Sequence, residues 1–210
     1  MPAEGVFETA EQFFARPRMA DAVLICTQDS QHYAYACQAI DLGYSILLEK
    51  PISPELAKCK EILEVSKECP GKVVVCHVLR YTVFFNTLKD LIASGRIGDV
   101  VSICANENVG YWHQAHSFVR GNWRNSQQTS PMILQKSCHD MDILTWLVGK
   151  QCKSVSSIGS NTLFRPERAP EGASLRCLDG CKAKETCPFD AEKIYVTSPK
   201  TGCLQGTSWL

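Results

Sequence analysis

The 210 residues predict an α/β chain in which a parallel sheet comes first and an α+β part with a mostly antiparallel sheet follows. Three observations carry this. Through the first half, short continuous apolar runs alternate with helical patterns of ten or more residues, as strands covered on both faces and joined by crossover helices require. Beyond Leu79 the β-like segments lengthen and alternate polar with apolar, the pattern of a sheet with one covered face. Hydrophobic residues make up 45% of the chain and 22 basic residues balance 22 acidic ones, so a globular core is affordable.

The elements follow in order. An amphipathic stretch spans Thr9 to Arg16, and Ala22 to Cys26 is the first strand. A helical pattern runs from Gln31 to Leu42 and stops at Gly43; Ser45 to Glu49 is the second strand. Pro54, tolerated in a first turn, opens a helix that reaches about Cys69, and Lys72 to His77 is the third strand. This is a βαβαβ layout. Next come a helix from Val83 to Ser94 closed by Gly95, a β-rich stretch from Val100 to Val109, and a polar, aromatic loop from Gly110 to Ser130. A helix from about Met132 to Val148 ends at Gly149, and Cys152 to Ser160 is strand-like. The change of character sets a boundary near Val78, giving domains 1–78 and 79–210. The last forty or so residues are loop-like and rich in Cys, Pro and charge.

Composition excludes several classes. Zero formal net charge without a basic block argues against a nucleic-acid or membrane-surface binder. No apolar run approaches the roughly 20 residues of a membrane span, and the acidic start (Glu4, Glu8, Glu11) is unlike a signal peptide. The twelve cysteines mostly sit inside apolar segments, which reads as reduced thiols in a cytoplasmic protein. Cys26, Cys37, Cys59, Cys76, Cys104 and Cys138 pattern as small core residues. Cys177, Cys181, Cys187 and Cys203 could hold zinc, but their spacing matches no common zinc pair and the default is free thiols without metal.

Two residues carry chemistry. Lys50 ends an apolar strand and precedes Pro51, which favours extended backbone and sets an ammonium at the C-terminal end of a parallel strand, where open α/β sheets bind ligands. A solvated surface lysine is the plain alternative. His139 shares a helix stripe with Gln135, Asp142 and Trp146, beside an apolar side of Ile133, Leu134, Met141, Leu144 and Val148. Such a stripe can face a cleft, or His139 can be a structural residue. The loop from Asn106 to Arg124 is dense in aromatic and hydrogen-bonding groups, suited to sugars and polyols or simply to an exposed connection anchored by Trp.

The segment from Ile25 to His32, then Glu49-Lys50-Pro51, Arg80-Tyr81, Gly95-Arg-Ile-Gly98 and His139-Asp140-x-Asp142, in this order, resembles the glucose-fructose oxidoreductase / inositol dehydrogenase (Gfo/Idh/MocA) family. The likeness covers about residues 7–160. It implies a partial Rossmann-like domain followed by a partial substrate and dimerisation domain. The implied reaction is reversible hydride transfer between NAD or NADP and a secondary hydroxyl of a sugar, polyol or related small molecule. By the same resemblance Thr27, Gln28, His32, Glu49, Lys50, Pro51 and Arg80 line the cofactor. Lys50 stabilises charge on the reacting oxygen, and His139 is the general base. His116, Arg120, Arg124, Gln135 and Lys136 contact substrate, Lys136 partly replacing an acid that many members carry where this chain has Gln135.

The departures are as informative. None of the thirteen glycines forms the Gly-x-Gly-x-x-Gly turn that holds a dinucleotide pyrophosphate, so the first βαβ unit is missing from these residues. The resemblance therefore implies an internal piece of a larger enzyme, impaired in cofactor binding, whose parent forms a homo-oligomer through its C-terminal sheet. Two rival functions remain: redox-assisted glycoside cleavage with bound NAD, and a noncatalytic binding or assembly module derived from a dehydrogenase.

Overall fold

The computed structural model describes residues 5–198. They form two compact units. One holds the chain up to Glu107 together with Asn125–Cys152; the other holds Asn108–Arg124 together with the chain from Lys153 onward.

The first unit begins with α1 (Ala10–Phe14), whose N-terminus is capped by Thr9 accepting the Gln12 N–H. Three strands follow, β1 (Ala22–Ile25), β2 (Ser45–Leu48) and β3 (Val73–Val75), paired in parallel in the order β1-β2-β3. Ala22 stands opposite Ser45 and Ile46 opposite Val73, which aligns the C-terminal ends of the strands. Helices α2 (Asp29–Asp41) and α3 (Leu56–Glu68) are the crossovers, as the alternation of patterns predicts. Gly43, at φ 75°, lets the chain leave α2 and enter β2 in three residues.

Ile25, Ala36, Ala39, Ile40, Tyr44, Ile46, Leu48 and Ile62 form the core between the sheet and the two helices. Tyr44 is fully buried, and its hydroxyl accepts the Met19 N–H at 3.0 Å, so no polar atom is stranded. The same residues correct one expectation. Both helices contribute to a single cluster, so they cover one face; alternate strand residues point away, leaving Leu24 at 65%, Leu47 at 37% and Val74 at 41% exposure. Continuous apolar runs arise from demand on both faces, but only one demand is met among the described residues.

After β3 comes a short 3₁₀ turn (Val78–Tyr81) and then α4 (Val83–Ala93), capped by Thr82. The antiparallel sheet expected next does not form among the described residues. The stretches expected as strands, Val100–Val109 and Cys152–Ser160, run without ladder partners, and Val101, Val155 and Ile158 are almost fully exposed. Alternation alone makes no strand; the backbone groups need a neighbour to pair with.

The single helix expected over Met132–Val148 is two: α6 (Met132–Gln135) and α7 (Cys138–Val148), broken at Lys136 and Ser137. Gly149, at φ 67°, ends α7 as predicted. In the second unit, the expected loop contains a helix, α5 (Tyr111–Gln114), continued by a π-turn over Ala115–Val119. The segment from Lys153 is mostly turns, with a 3₁₀ turn at Pro166–Arg168 and a π-turn at Lys193–Thr197. No helix among the described residues is long and apolar enough to cross a membrane.

Candidate active site

The C-terminal ends of β1 and β2 lie side by side, since Ile25 pairs with Leu48. Thr27 and Gln28 leave β1 exposed, and Glu49-Lys50-Pro51 leaves β2 through a cis Lys50–Pro51 bond. His32, on the first turn of α2 and 1% exposed, stands between these two turns. Its Nδ1 is 2.8 Å from the Pro51 carbonyl oxygen and its Nε2 3.1 Å from that of Thr27. Both ring nitrogens thus face backbone acceptors, and His32 holds the rim together from behind. Glu49 turns back on its own chain, accepting the Lys50 N–H at 3.1 Å.

Asp29 brings the distant helices to this rim. Buried at the N-terminus of α2, its carboxylate accepts the Ser30 N–H at 3.0 Å and the Ser130 N–H at 2.9 Å. Ser130 immediately precedes α6, so the helix pair is tethered beside the strand ends. The break between α6 and α7 then does chemical work. In a continuous helix the Gln135 carbonyl would take the His139 N–H; here that N–H turns toward the Lys136 carbonyl at 3.4 Å. The freed Gln135 carbonyl accepts a hydrogen bond from Lys50 Nζ at 2.8 Å, across 85 positions of sequence. Lys50, Gln135 and His139 are therefore brought together through a helix end that periodicity did not reveal.

A second set of contacts locks α7. Arg80 donates from Nε and Nη2 to the two Asp142 oxygens at 2.7 and 2.6 Å, and its guanidinium lies 5.7 Å from the Trp146 ring centroid. This bidentate pair raises the Arg80 pKa and engages one edge of its planar fork. Arg80, expected at the cofactor, is thus turned to the helix bearing His139. Lys89 donates to the Trp146 and Leu147 carbonyls at 2.6 and 3.3 Å, satisfying the C-terminal end of α7. Lys136 reaches Glu107 at 3.7 Å, a half-exposed ion pair.

His77, which sequence reasoning did not single out, completes the cluster. It follows β3 as Lys50 follows β2, and the strand-end argument that found Lys50 applies to it equally. Its ring meets that of His139 edge-on, centroids 6.0 Å apart at 85°, and its Nδ1 is 3.9 Å from Asp142, too far for a hydrogen bond. Burial holds both imidazoles below their ordinary pKa; Lys50, His77 and Lys136 lower His139 further, while for His77 the Asp142 carboxylate opposes burial. Burial also raises the neighbouring Cys138 thiol. Three buried polar atoms in this cluster lack a hydrogen-bond partner: His77 Nδ1, Gln135 Oε1 and His139 Nδ1.

The other expected substrate contacts lie in the second unit. His116 is exposed and packs on Tyr195, centroids 4.7 Å apart, while Arg120 lies 5.8 Å from the same ring and donates to the Phe189 carbonyl at 2.5 Å. Arg124 is exposed and donates to the Gly121 carbonyl at 3.0 Å within its own turn. The structure unites His116 and Arg120 around Tyr195 and leaves Arg124 outside that group. Cys177, Cys181 and Cys187 line a small cavity with Lys184 and Asp190. No three His, Cys, Asp or Glu side chains among the described residues are arranged to hold a metal, and Cys203 lies outside those residues.

Comparison with known proteins identifies the family and the fold. Residues 2–78 match the model of the oxidoreductase family's NAD-binding Rossmann fold, and residues 89–192 that of its C-terminal alpha/beta domain. A putative oxidoreductase, YteT of Bacillus subtilis, is 28% identical over 186 residues, 87% of this chain and 43% of its own length. Inositol 2-dehydrogenase of Pseudomonas savastanoi is 27% identical, covering 73% of this chain and 42% of that enzyme. Among solved structures, myo-inositol 2-dehydrogenase of Lactobacillus plantarum aligns with a TM-score of 0.57 at 18% identity, over 68% of this chain and 41% of that one. The WlbA dehydrogenase of Bordetella pertussis, solved with NADH and UDP-GlcNAcA, aligns with a TM-score of 0.56 at 22% identity, over 68% and 40%. The chain spans less than half the length of each of these relatives.

Proposed function

The chain belongs to the Gfo/Idh/MocA oxidoreductase family, and from that premise we propose that it carries the acid–base half of an NAD(P)-dependent site oxidising a secondary hydroxyl of a sugar or cyclic polyol. The observation that supports this most directly is the meeting of Lys50, the Gln135 carbonyl and His139 at the C-terminal ends of parallel strands. The inositol dehydrogenases among its relatives favour a polyol ring as the substrate class. On the same reading the functional division of the chain falls near Val78, between residues 1–78 and 79–210.

The residues at the rim suit one end of a dinucleotide. Thr27 and Gln28 offer exposed hydroxyl and amide groups, and the Glu49-Lys50-Pro51 turn lies on the neighbouring strand. His32 braces both turns without reaching outward. None of the 210 residues forms the glycine-rich turn that would take the pyrophosphate, so this chain by itself is expected to bind the cofactor weakly. NAD(P)⁺, when bound, supplies the hydride acceptor. Lys50 donates a hydrogen bond to the substrate oxygen and stabilises the negative charge growing there. His139, kept uncharged by burial and surrounding cations, accepts the hydroxyl proton as the carbon loses hydride. Gln135 orients Lys50 through its carbonyl; Arg80 and Asp142 hold the helix carrying His139. Lys136 completes the proposed substrate contacts within this unit; His116, Arg120 and Arg124 are proposed contacts carried by the second unit.

The test is direct. The chain is mixed with millimolar NAD⁺ or NADP⁺ and a panel of inositols and sugars, and reduced cofactor is followed by absorbance. Cyclic-polyol-dependent formation that Lys50→Ala abolishes is the expected result. Reduced cofactor formed equally by the Lys50→Ala protein, or none from any polyol or sugar at saturating cofactor, rejects the proposal.

A further inference from the structure

His77 has no place in the reaction just described, yet it stands closer to His139 than a bystander would. The two rings meet at 6.0 Å, each is partly buried, and each leaves its Nδ1 buried without a hydrogen-bond partner. Neither imidazole makes a hydrogen bond through its side chain to any described residue, so neither is tied up as a structural donor in the way His32 is. Charges face them from every neighbouring element. Lys50 comes from the turn after β2, Arg80 from the turn after β3, Lys136 from the α6–α7 junction, and Asp140 and Asp142 from α7. The Asp142 charge is already matched by the bidentate Arg80 pair, which leaves the site with little capacity to hold two further positive rings.

We propose that His77 is a positioning residue for His139: the two rings act as one acid–base unit in which a proton on either opposes a proton on the other, so His139 stays free to receive the substrate proton. The geometry makes the coupling appreciable. Two unit charges 6 Å apart, in the screening between a protein surface and open water, shift one another by about half to two pH units. Coupled imidazoles titrate as a pair, and each reports the midpoint of the other. Arg80 and Asp142 act on His77, and through it on the pair.

This inference rests on the proposed dehydrogenase reading only for its catalytic use; the coupling itself is a property of the folded chain. The experiment is a histidine titration of the ¹⁵N-labelled protein between pH 4.5 and 8, followed by long-range ¹H–¹⁵N imidazole spectra, for the native chain, His77→Phe and His77→Gln. In the native protein both rings are expected to titrate below the ordinary value near 6.5, and each curve to show two inflections. In His77→Phe, which keeps the aromatic edge but cannot take a proton, the His139 midpoint rises by about half a pH unit or more. The acid limb of kcat/KM for polyol oxidation moves to higher pH by the same amount. A His139 midpoint that stays within about 0.2 pH unit in both variants, with single inflections in the native chain, overturns the proposal. The native curves alone decide the matter should neither variant fold. If the rings prove coupled while no polyol is oxidised, the pair stands and the dehydrogenase reading falls; oxidation with independent rings gives the reverse.

Discussion

Two groups of polar residues were expected to meet substrate, and the structure treats them differently. Around the strand ends, Lys50, Gln135 and His139, joined by the unforeseen His77, leave three buried polar atoms unsatisfied, and burial keeps both imidazoles below their ordinary pKa. Around Tyr195, Arg120 is bonded to a backbone carbonyl through Nη1 while its Nη2, like Trp123 Nε1 and Asp190 Oδ2 in the same unit, is buried without a hydrogen-bond partner, and Arg124 is closed into its own turn. Unpaired buried groups are costly and both regions hold them; what only the first holds is a lysine beside two adjoining imidazoles that burial keeps below their ordinary pKa. The first group carries acid–base chemistry; in the second the two arginines rest on backbone carbonyls.

The sharpest way to break this contrast is His139→Asn. We expect a loss of about 10²- to 10⁴-fold in kcat for polyol oxidation, the range of a general base, together with disappearance of the acid limb of the pH profile. A profile that keeps its shape and only drops in height would make His139 a positioning group. Lys50→Ala should follow closely, at about 10²-fold or more, with little change in cofactor affinity, because one stabiliser of transition-state charge is lost. Activity within about threefold of the native protein would remove Lys50 from that role.

Smaller effects fall on stability. Asp142→Asn removes one partner of the Arg80 pair, whose guanidinium is 37% exposed; solvent screening limits the expected cost to about 1 kcal/mol in urea unfolding. Arg120→Ala, read the same way, loses one bond to Phe189 and should cost about 1 kcal/mol, whereas Arg124→Ala should stay within about 0.5 kcal/mol. A large kcat loss in Arg124→Ala would erase the distinction between the two groups. Acid sharpens it instead. The folded chain holds His77 and His139 below their ordinary pKa, so the unfolded chain takes up protons first as pH falls through about 6.5. Stability is therefore greatest above that value, declines as pH drops toward the folded midpoints, and should decline less in His77→Phe.

Local chemistry was legible in the sequence where it rested on position along a strand or helix. The three strands, α2, α3, α4 and the glycine stops at Gly43 and Gly149 follow from periodicity and turn residues. Lys50 and His139 were legible through the motifs they belong to. The break between α6 and α7 was not: Gln135, Lys136 and Ser137 are all compatible with a helix, and what marks the break is a hydrogen bond from Lys50, 85 residues away. His77 went unseen because a histidine ending an apolar run reads as core. The strands expected at Val100–Val109 and Cys152–Ser160 carry the right alternation, but pairing is decided by partners that a local pattern does not contain.

The half-covered sheet has a thermodynamic signature. Leu24, Leu47 and Val74 are already hydrated in the folded chain, so unfolding adds less newly wetted apolar surface than a sheet covered on both faces would. Heat capacity tracks that increment, commonly about 12–15 cal/mol/K per residue, and calorimetry of this chain should fall below it. The stability curve then flattens: the protein gives up part of its temperature-dependent hydrophobic driving force, tolerates cooling well, and melts over a broad interval with a small enthalpy.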